Sequence, residues 1–94
     1  MEVKKCFLCG RNGSTDPLDH HHIFGNAYRA KSGEYGLMVW LCHHDCHCFG
    51  ENAVHQNAQT MRYIRQYGQR KAMEENNWTK EDFIREFGKN YLED

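Results

Sequence analysis

The run LMVWLCHHDCH, residues 37–47, decides how this chain is read. Five residues suited to a strand lead without a break into two cysteines and three histidines. A strand that ends in a crowd of sulfur and imidazole groups delivers the chain to a metal. The remaining ligands must come from elsewhere in the sequence.

The nearest partners in kind lie at the start of the chain. Cys6, Cys9 and Gly10 form CFLCG, followed by the turn-rich RNGSTD. The glycine permits the tight turn that points both sulfurs at one ion. With Cys42 and Cys46 the spacing becomes C-x2-C, thirty-two residues, then C-x3-C. Four thiolates in two close pairs close a tetrahedral zinc site and clip distant parts of a small chain together. Cys48 is the alternative to Cys46 as fourth ligand, and His43 and His44 stand near enough to compete. Buried free cysteines are the plainer reading, but two pairs, each beside a turn, favour the metal.

The bulk properties agree with a small metal-stapled domain. Ninety-four residues suffice for one domain, and 39% of them are hydrophobic, twelve being aromatic. Five cysteines are an odd number, which suits a reducing compartment better than a disulfide framework. LMVWLC is too short to span a membrane, and MEVKKC lacks the apolar stretch of a secretory signal. A cytoplasmic location is expected. Residues 1–73 hold nine Lys/Arg against six Asp/Glu, while residues 74–94 hold three against seven. The net charge of −1 thus hides a mildly basic body and an acidic tail, which permits a nucleic-acid partner.

Coarse structure follows from pattern. DHHHIF reads as a first strand with Gly25 and Asn26 turning at its end, and LMVWL as the strand that pairs with it. Residues 27–36 read as a polar connection. From about Ala53 to Glu75, Val54, Ala58, Met61, Ile64, Gly68 and Ala72 recur at helical steps. The opposite face carries Gln59, Arg62, Arg65, Gln66, Gln69 and Arg70, and its basic residues, with Lys71, meet no acid within residues 53–73. A last helix opens at WTKEDF, with Thr79 and Asp82 as a capping box and Trp78 and Phe83 as a staple. Phe83, Ile84, Phe87 and Tyr91 supply its core face, and Gly88 ends it. Trp40 and Phe49 are expected in the core.

Seven histidines remain after the cysteines are assigned. Neutral imidazole is both a metal ligand and a base that works near pH 7. His21 and His22 are adjacent on a strand and face opposite ways, so two different roles suit them better than one shared ion. His20, His43 and His44 read as surface or supporting residues, and Asp19 either orients a histidine or binds metal.

CxxCG, a strand ending in D-x-HHI, a second strand ending in LC and a following CH together resemble the zinc-knuckle branch of the HNH endonucleases. These are His-Me finger or ββα-metal nucleases, and the likeness to small phage-type members covers residues 6 to about 65. It implies an α+β fold: a ββα-metal core over about 6–65 with a four-cysteine zinc knuckle, and a helical extension over about 66–94 within one domain. It implies that His22 is the general base and that His21 and His47 hold a catalytic divalent ion, with His55 a further ligand. That ion would be Mg²⁺ or Mn²⁺, with Zn²⁺ or Ni²⁺ accepted by the imidazoles. The structural zinc would sit on Cys6, Cys9, Cys42 and Cys46. Arg29, Arg62, Arg65, Arg70 and Lys71 become candidate phosphate contacts on double-stranded DNA, giving little sequence preference. The family's asparagine is not at its usual place, where Gly36 stands, which leaves Asn26, Asn52 or Asn57 for the role. The expected setting is a phage or its bacterial host, with the protein a monomer or homodimer. Two rivals use the same residues: a catalytically inert DNA- or protein-binding module on this fold, and a protein with two structural zincs.

Overall fold

The computed structural model describes residues 4–92. In chain order it comprises β1 (Leu18–His22), a 3-10 turn (Asn26–Tyr28), α1 (Arg29–Glu34), β2 (Met38–Cys42), a π turn (His43–Cys48), α2 (Ala58–Asn76) and α3 (Lys80–Phe87). β1 and β2 form a two-stranded sheet. The amide of His43 donates to Pro17 at one end, and that of Ile23 donates to Leu37 at the other. Partners that ascend on one strand as they descend on the other make the pairing antiparallel. The fold is therefore α+β.

The chain divides into two interleaved compact units. One takes the chain up to His21 and then Met38–Met61; the other takes His22–Leu37 and the chain from Arg62 onward.

The first unit holds the cysteines. Val39, Leu41, Ala53 and Val54 are buried beside Cys6, Cys42 and Cys46, a small apolar set. The amide of Phe7 donates to Trp40 O at 2.7 Å, which ties the knuckle to β2. His20, read from sequence as surface filler, lies flat on Trp40 with ring centroids 4.2 Å apart, and Lys4 Nζ is 4.5 Å from the same ring. Trp40 is thus covered by a histidine and a lysine rather than sunk in a core. Phe49 corrects the expectation outright, being 63% exposed with the His43 and His44 rings around it.

The helix expected from Ala53 starts at Ala58. Asn57 explains the delay, since its side-chain oxygen accepts from the amides of Gln59 and Thr60 as an N-cap does. Among the described residues no helix is long and apolar enough to cross a membrane.

The second unit is built on aromatic rings. Phe24 lies 5.4 Å from Phe83, 4.8 Å from Phe87 and 5.5 Å from Tyr91, centroid to centroid. Ile23, Leu37, Ile64 and Ala72 complete the buried set. Residues 29–34, expected as a connection, form α1 and bury Ser32. That hydroxyl donates to Leu37 O at 2.5 Å and accepts from the Phe24 amide at 3.2 Å, stitching the segments that follow β1 and precede β2. Gln69, expected on the polar face, is fully buried; it donates to Asn90 at 2.7 Å and accepts from the Tyr91 amide at 2.7 Å. The Thr79–Asp82 capping box opens α3 and the left-handed Gly88 ends it, as expected, but Ile84 is 39% exposed and Trp78 packs edge-on against Tyr35.

Gly68 gives this unit a test. A Cβ there would come within 2.7 Å of Ile23 and 3.0 Å of Phe24. Alanine gains about 1 kcal/mol of helix propensity, while overpacking costs about 1–3 kcal/mol. Gly68→Ala should therefore lower the urea midpoint, with a net loss of up to about 2 kcal/mol. An unchanged or raised midpoint would show that Ile23 and Phe24 yield freely.

Candidate metal centres

The four sulfurs of Cys6, Cys9, Cys42 and Cys46 lie within 4.8 Å of one another. The sulfurs of Cys9 and Cys42 are 3.4 Å apart. Zinc–sulfur bonds of about 2.3 Å in a tetrahedron put sulfurs about 3.8 Å apart, so the cluster can hold a zinc ion after small adjustment. Three local devices place the four sulfurs. Gly10, at φ +80°, closes the knuckle by donating to Cys6 O at 2.9 Å. Cys42 ends β2, and Cys46 comes from the π turn.

That turn is fixed from outside and inside. The carboxylate of Asp16 accepts from the amides of His44 and Asp45 at 2.9 and 3.0 Å, and these two bonds hold it below the usual carboxylate range. The amides of Phe49 and Gly50 both donate to His44 O. At Gly50 a Cβ would fall 1.9 Å from Asp45 O, so only glycine fits.

Charge is unequally shared among the thiols. Burial pushes Cys6 up, but the amides of Cys42, Cys9 and Leu8 and the Cys46 thiol outweigh it and bring Cys6 down to about 7. Burial and the sulfurs of Cys9 and Cys6 push Cys42 up to about 12 and raise Cys46 as well. Without metal, the cluster is thus a thiolate-leaning Cys6 beside protonated Cys42 and Cys46. Cys48 lies outside this group.

A second convergence is made of rings. Ligand atoms of His21, His47 and His55 also lie within 4.8 Å of one another. The Nε2 atoms of His47 and His55 are 3.1 Å apart. Two nitrogens on one tetrahedral zinc, with bonds of about 2.0–2.1 Å, stand about 3.3 Å apart, so this pair fits a shared ion. Asp19 Oδ2 lies 2.8 Å from His47 Nδ1. A carboxylate on Nδ1 fixes the tautomer and leaves the Nε2 lone pair for a metal. Burial first, then the charge of His47, lowers the pKa of His55 and keeps it neutral. Asp19 itself is raised by burial, yet the imidazoles of His47 and His43 outweigh this and hold it ionised. His21 is buried, His47 half-buried and His55 exposed, so the group opens to solvent on one side.

The other candidate residues are placed separately. His22 ends β1, half-buried, and a Cβ on Gly33 of α1 would sit 3.5 Å from its Nε2. Arg29, Arg62 and Arg70 are exposed. Arg65 is half-buried with its guanidinium 5.6 Å from the Tyr91 ring centroid. Lys71 donates to Glu75 at 3.1 Å and Gly36 O at 3.3 Å, so the acid-free face ends two residues beyond the stretch considered. Asn57 caps α2 and donates to Asn52, which gives both a local structural role. Asp16 and Gln69 carried no signal in sequence beyond being polar.

Comparison with protein-family models, curated proteins and solved structures gives no match.

The thiol charges predict how zinc affinity varies with pH. Cys42 and Cys46 hold protons near neutrality and must release them on binding, so affinity rises with pH. These two protons alone correspond to roughly a hundredfold per pH unit, and the proton of Cys6, at about 7, steepens the slope at the acid end. Competition against a chelator between pH 6 and pH 8 measures the slope; a flat profile would mean that the cluster is already deprotonated.

Proposed function

We propose that this chain is a metal-dependent phosphodiester hydrolase of the HNH type, a small ββα-metal endonuclease acting on double-stranded DNA. The observation that carries this reading is the convergence of His21, His47 and His55 with Asp19 behind His47. Three ligands open to solvent suit a catalytic ion, whereas four thiolates, a complete tetrahedral donor set, suit a structural zinc. A divalent ion at the histidines would supply charge relief on the scissile phosphate and the departing oxygen. Nitrogen donors rank Zn²⁺ and Ni²⁺ first, accept Mn²⁺ and place Mg²⁺ last, because Mg²⁺ prefers oxygen.

In this reading the chain's own residues divide the work. His22, as neutral imidazole, takes the proton from the attacking water. Asp19 holds His47 in one tautomer and orientation. Arg29, Arg62 and Arg70 contact phosphates and carry no base information, which makes sequence preference low. Arg65 and Lys71, engaged with Tyr91 and Glu75, contribute less. One centre per chain nicks a single strand, and the expected products carry a 5′ phosphate and a 3′ hydroxyl. The four-cysteine zinc is structural, and the protein works inside a bacterial cell.

Plasmid nicking by the zinc-loaded protein in Mn²⁺, Zn²⁺, Mg²⁺ or EDTA tests the proposal. Removing the base in a folded His22→Ala variant should slow nicking by roughly 10²–10⁴-fold. Equal rates would reject His22 as base, and no cleavage with any ion would sink the enzymatic reading.

A further inference from the structure

The π turn sorts its side chains. With i→i+5 hydrogen bonding, residues four and five apart come to lie over one another. Cys42 and Cys46 fall together toward the thiolate cluster, while His43, His47 and Cys48 form a second file. The Nδ1 atoms of His43 and His47 both reach the same oxygen of Asp19, at 2.6 and 2.8 Å. A ring nitrogen of each histidine, an oxygen of Asp19 and the sulfur of Cys48 all lie within 4.8 Å of one another. Asp19, His47 and Cys48 are half-buried, and His43 is exposed.

We propose that Asp19, His43, His47 and Cys48 form a further site for a thiophilic divalent cation, zinc foremost. Two imidazoles, a carboxylate and a thiolate are a complete tetrahedral donor set for zinc, and the thiolate disfavours Mg²⁺ and Ca²⁺. Binding replaces the hydrogen bonds to Asp19 by bonds to the ion. Each neutral imidazole gives up its Nδ1 proton and takes one at Nε2, through solvent, while Cys48 releases its proton. This exchange has a consequence for His47. Once protonated at Nε2, it has no lone pair left for the pair formed by His21 and His55. The two sites share His47 and exclude each other.

A zinc-dependent switch results. An ion in the Asp19–His43–His47–Cys48 site withdraws a ligand from the histidine cluster. The site itself does not rest on the hydrolytic reading; only the effect on cleavage does.

Cobalt reports the site directly, because a thiolate bound to Co²⁺ absorbs in the near ultraviolet. The full chain, its four-cysteine cluster preloaded with one equivalent of zinc, is titrated with Co²⁺ and compared with Cys48→Ala. Cobalt that exchanges into the four-cysteine cluster cancels in the difference spectrum. A one-thiolate band is expected in the difference, retained in His55→Ala and weakened in affinity by roughly tenfold or more in His43→Ala. No difference between wild type and Cys48→Ala overturns the proposal. His43 is exposed, so His43→Ala serves as the test should Cys48→Ala fail to fold; unchanged cobalt affinity in it overturns the proposal equally.

Exclusion is read by Mn²⁺, followed by its free-ion resonance signal. Zinc beyond the first equivalent should release bound Mn²⁺ from wild type at a lower concentration than from Cys48→Ala, in which zinc competes only by entering the histidine cluster itself. Release from both alike would remove the exclusion. Failure of wild type to bind Mn²⁺ at all, with the cobalt difference intact, would count against the proposed catalytic centre and leave this site standing.

Discussion

Four sulfur atoms from two separate stretches of chain must meet within 4.8 Å, and the first unit is arranged so that they can. Its apolar residues are few: Val39, Leu41, Ala53 and Val54, beside the cysteines themselves. A core that small does not hold its own loops in place, and small domains commonly recruit a metal for the purpose. The hydrogen bonds of the unit serve this convergence. Phe7 fastens the knuckle to β2. The register of β1 on β2 sets where Cys42 stands, and Asp16 grips the turn that presents Cys46.

One short turn separates two kinds of chemistry. Cys46 and His47 are neighbours, yet the first faces sulfur and the second faces imidazole and carboxylate. Four soft donors on one side complete a tetrahedron and favour an ion that stays; three nitrogen donors on the other leave a position open to solvent and favour an ion that exchanges. Asp19 is the hinge of the second environment. Its single oxygen meets two rings, and its negative charge is maintained by them despite partial burial.

Much of this was legible before any coordinates. Two close cysteine pairs, alternating strands and a capping box are local signals, and local signals survive folding. The misses share a cause: they depend on what lies far away in sequence. Gln69 sits at a helical step that pattern assigns to solvent, but Asn90 and Tyr91 supply the polar partners that make its burial affordable in hydrogen bonds. Ser32 is buried for the same reason, and the polar hexapeptide around it carries no apolar stripe to announce α1. Phe49 was assigned by hydrophobicity alone, which does not reveal that it stands exposed against the His43 and His44 rings. For the histidines, the family resemblance nominated His21, His47 and His55, whereas the two rings that Asp19 meets are fixed only by the fold.

The file-by-file sorting in the turn after β2 also bears on how this protein can change over generations. Exchanging one side chain there removes one donor and leaves the others facing their own partners. Dropping or adding one residue between Cys42 and Cys48 would rotate every later donor into the neighbouring file, sending sulfur where imidazole belongs. Gly50, with Asp45 O against it, closes off the slack that could absorb such a shift. Descendants of this chain can therefore drift in letter more readily than in length across residues 42–49, while position 50 keeps its glycine.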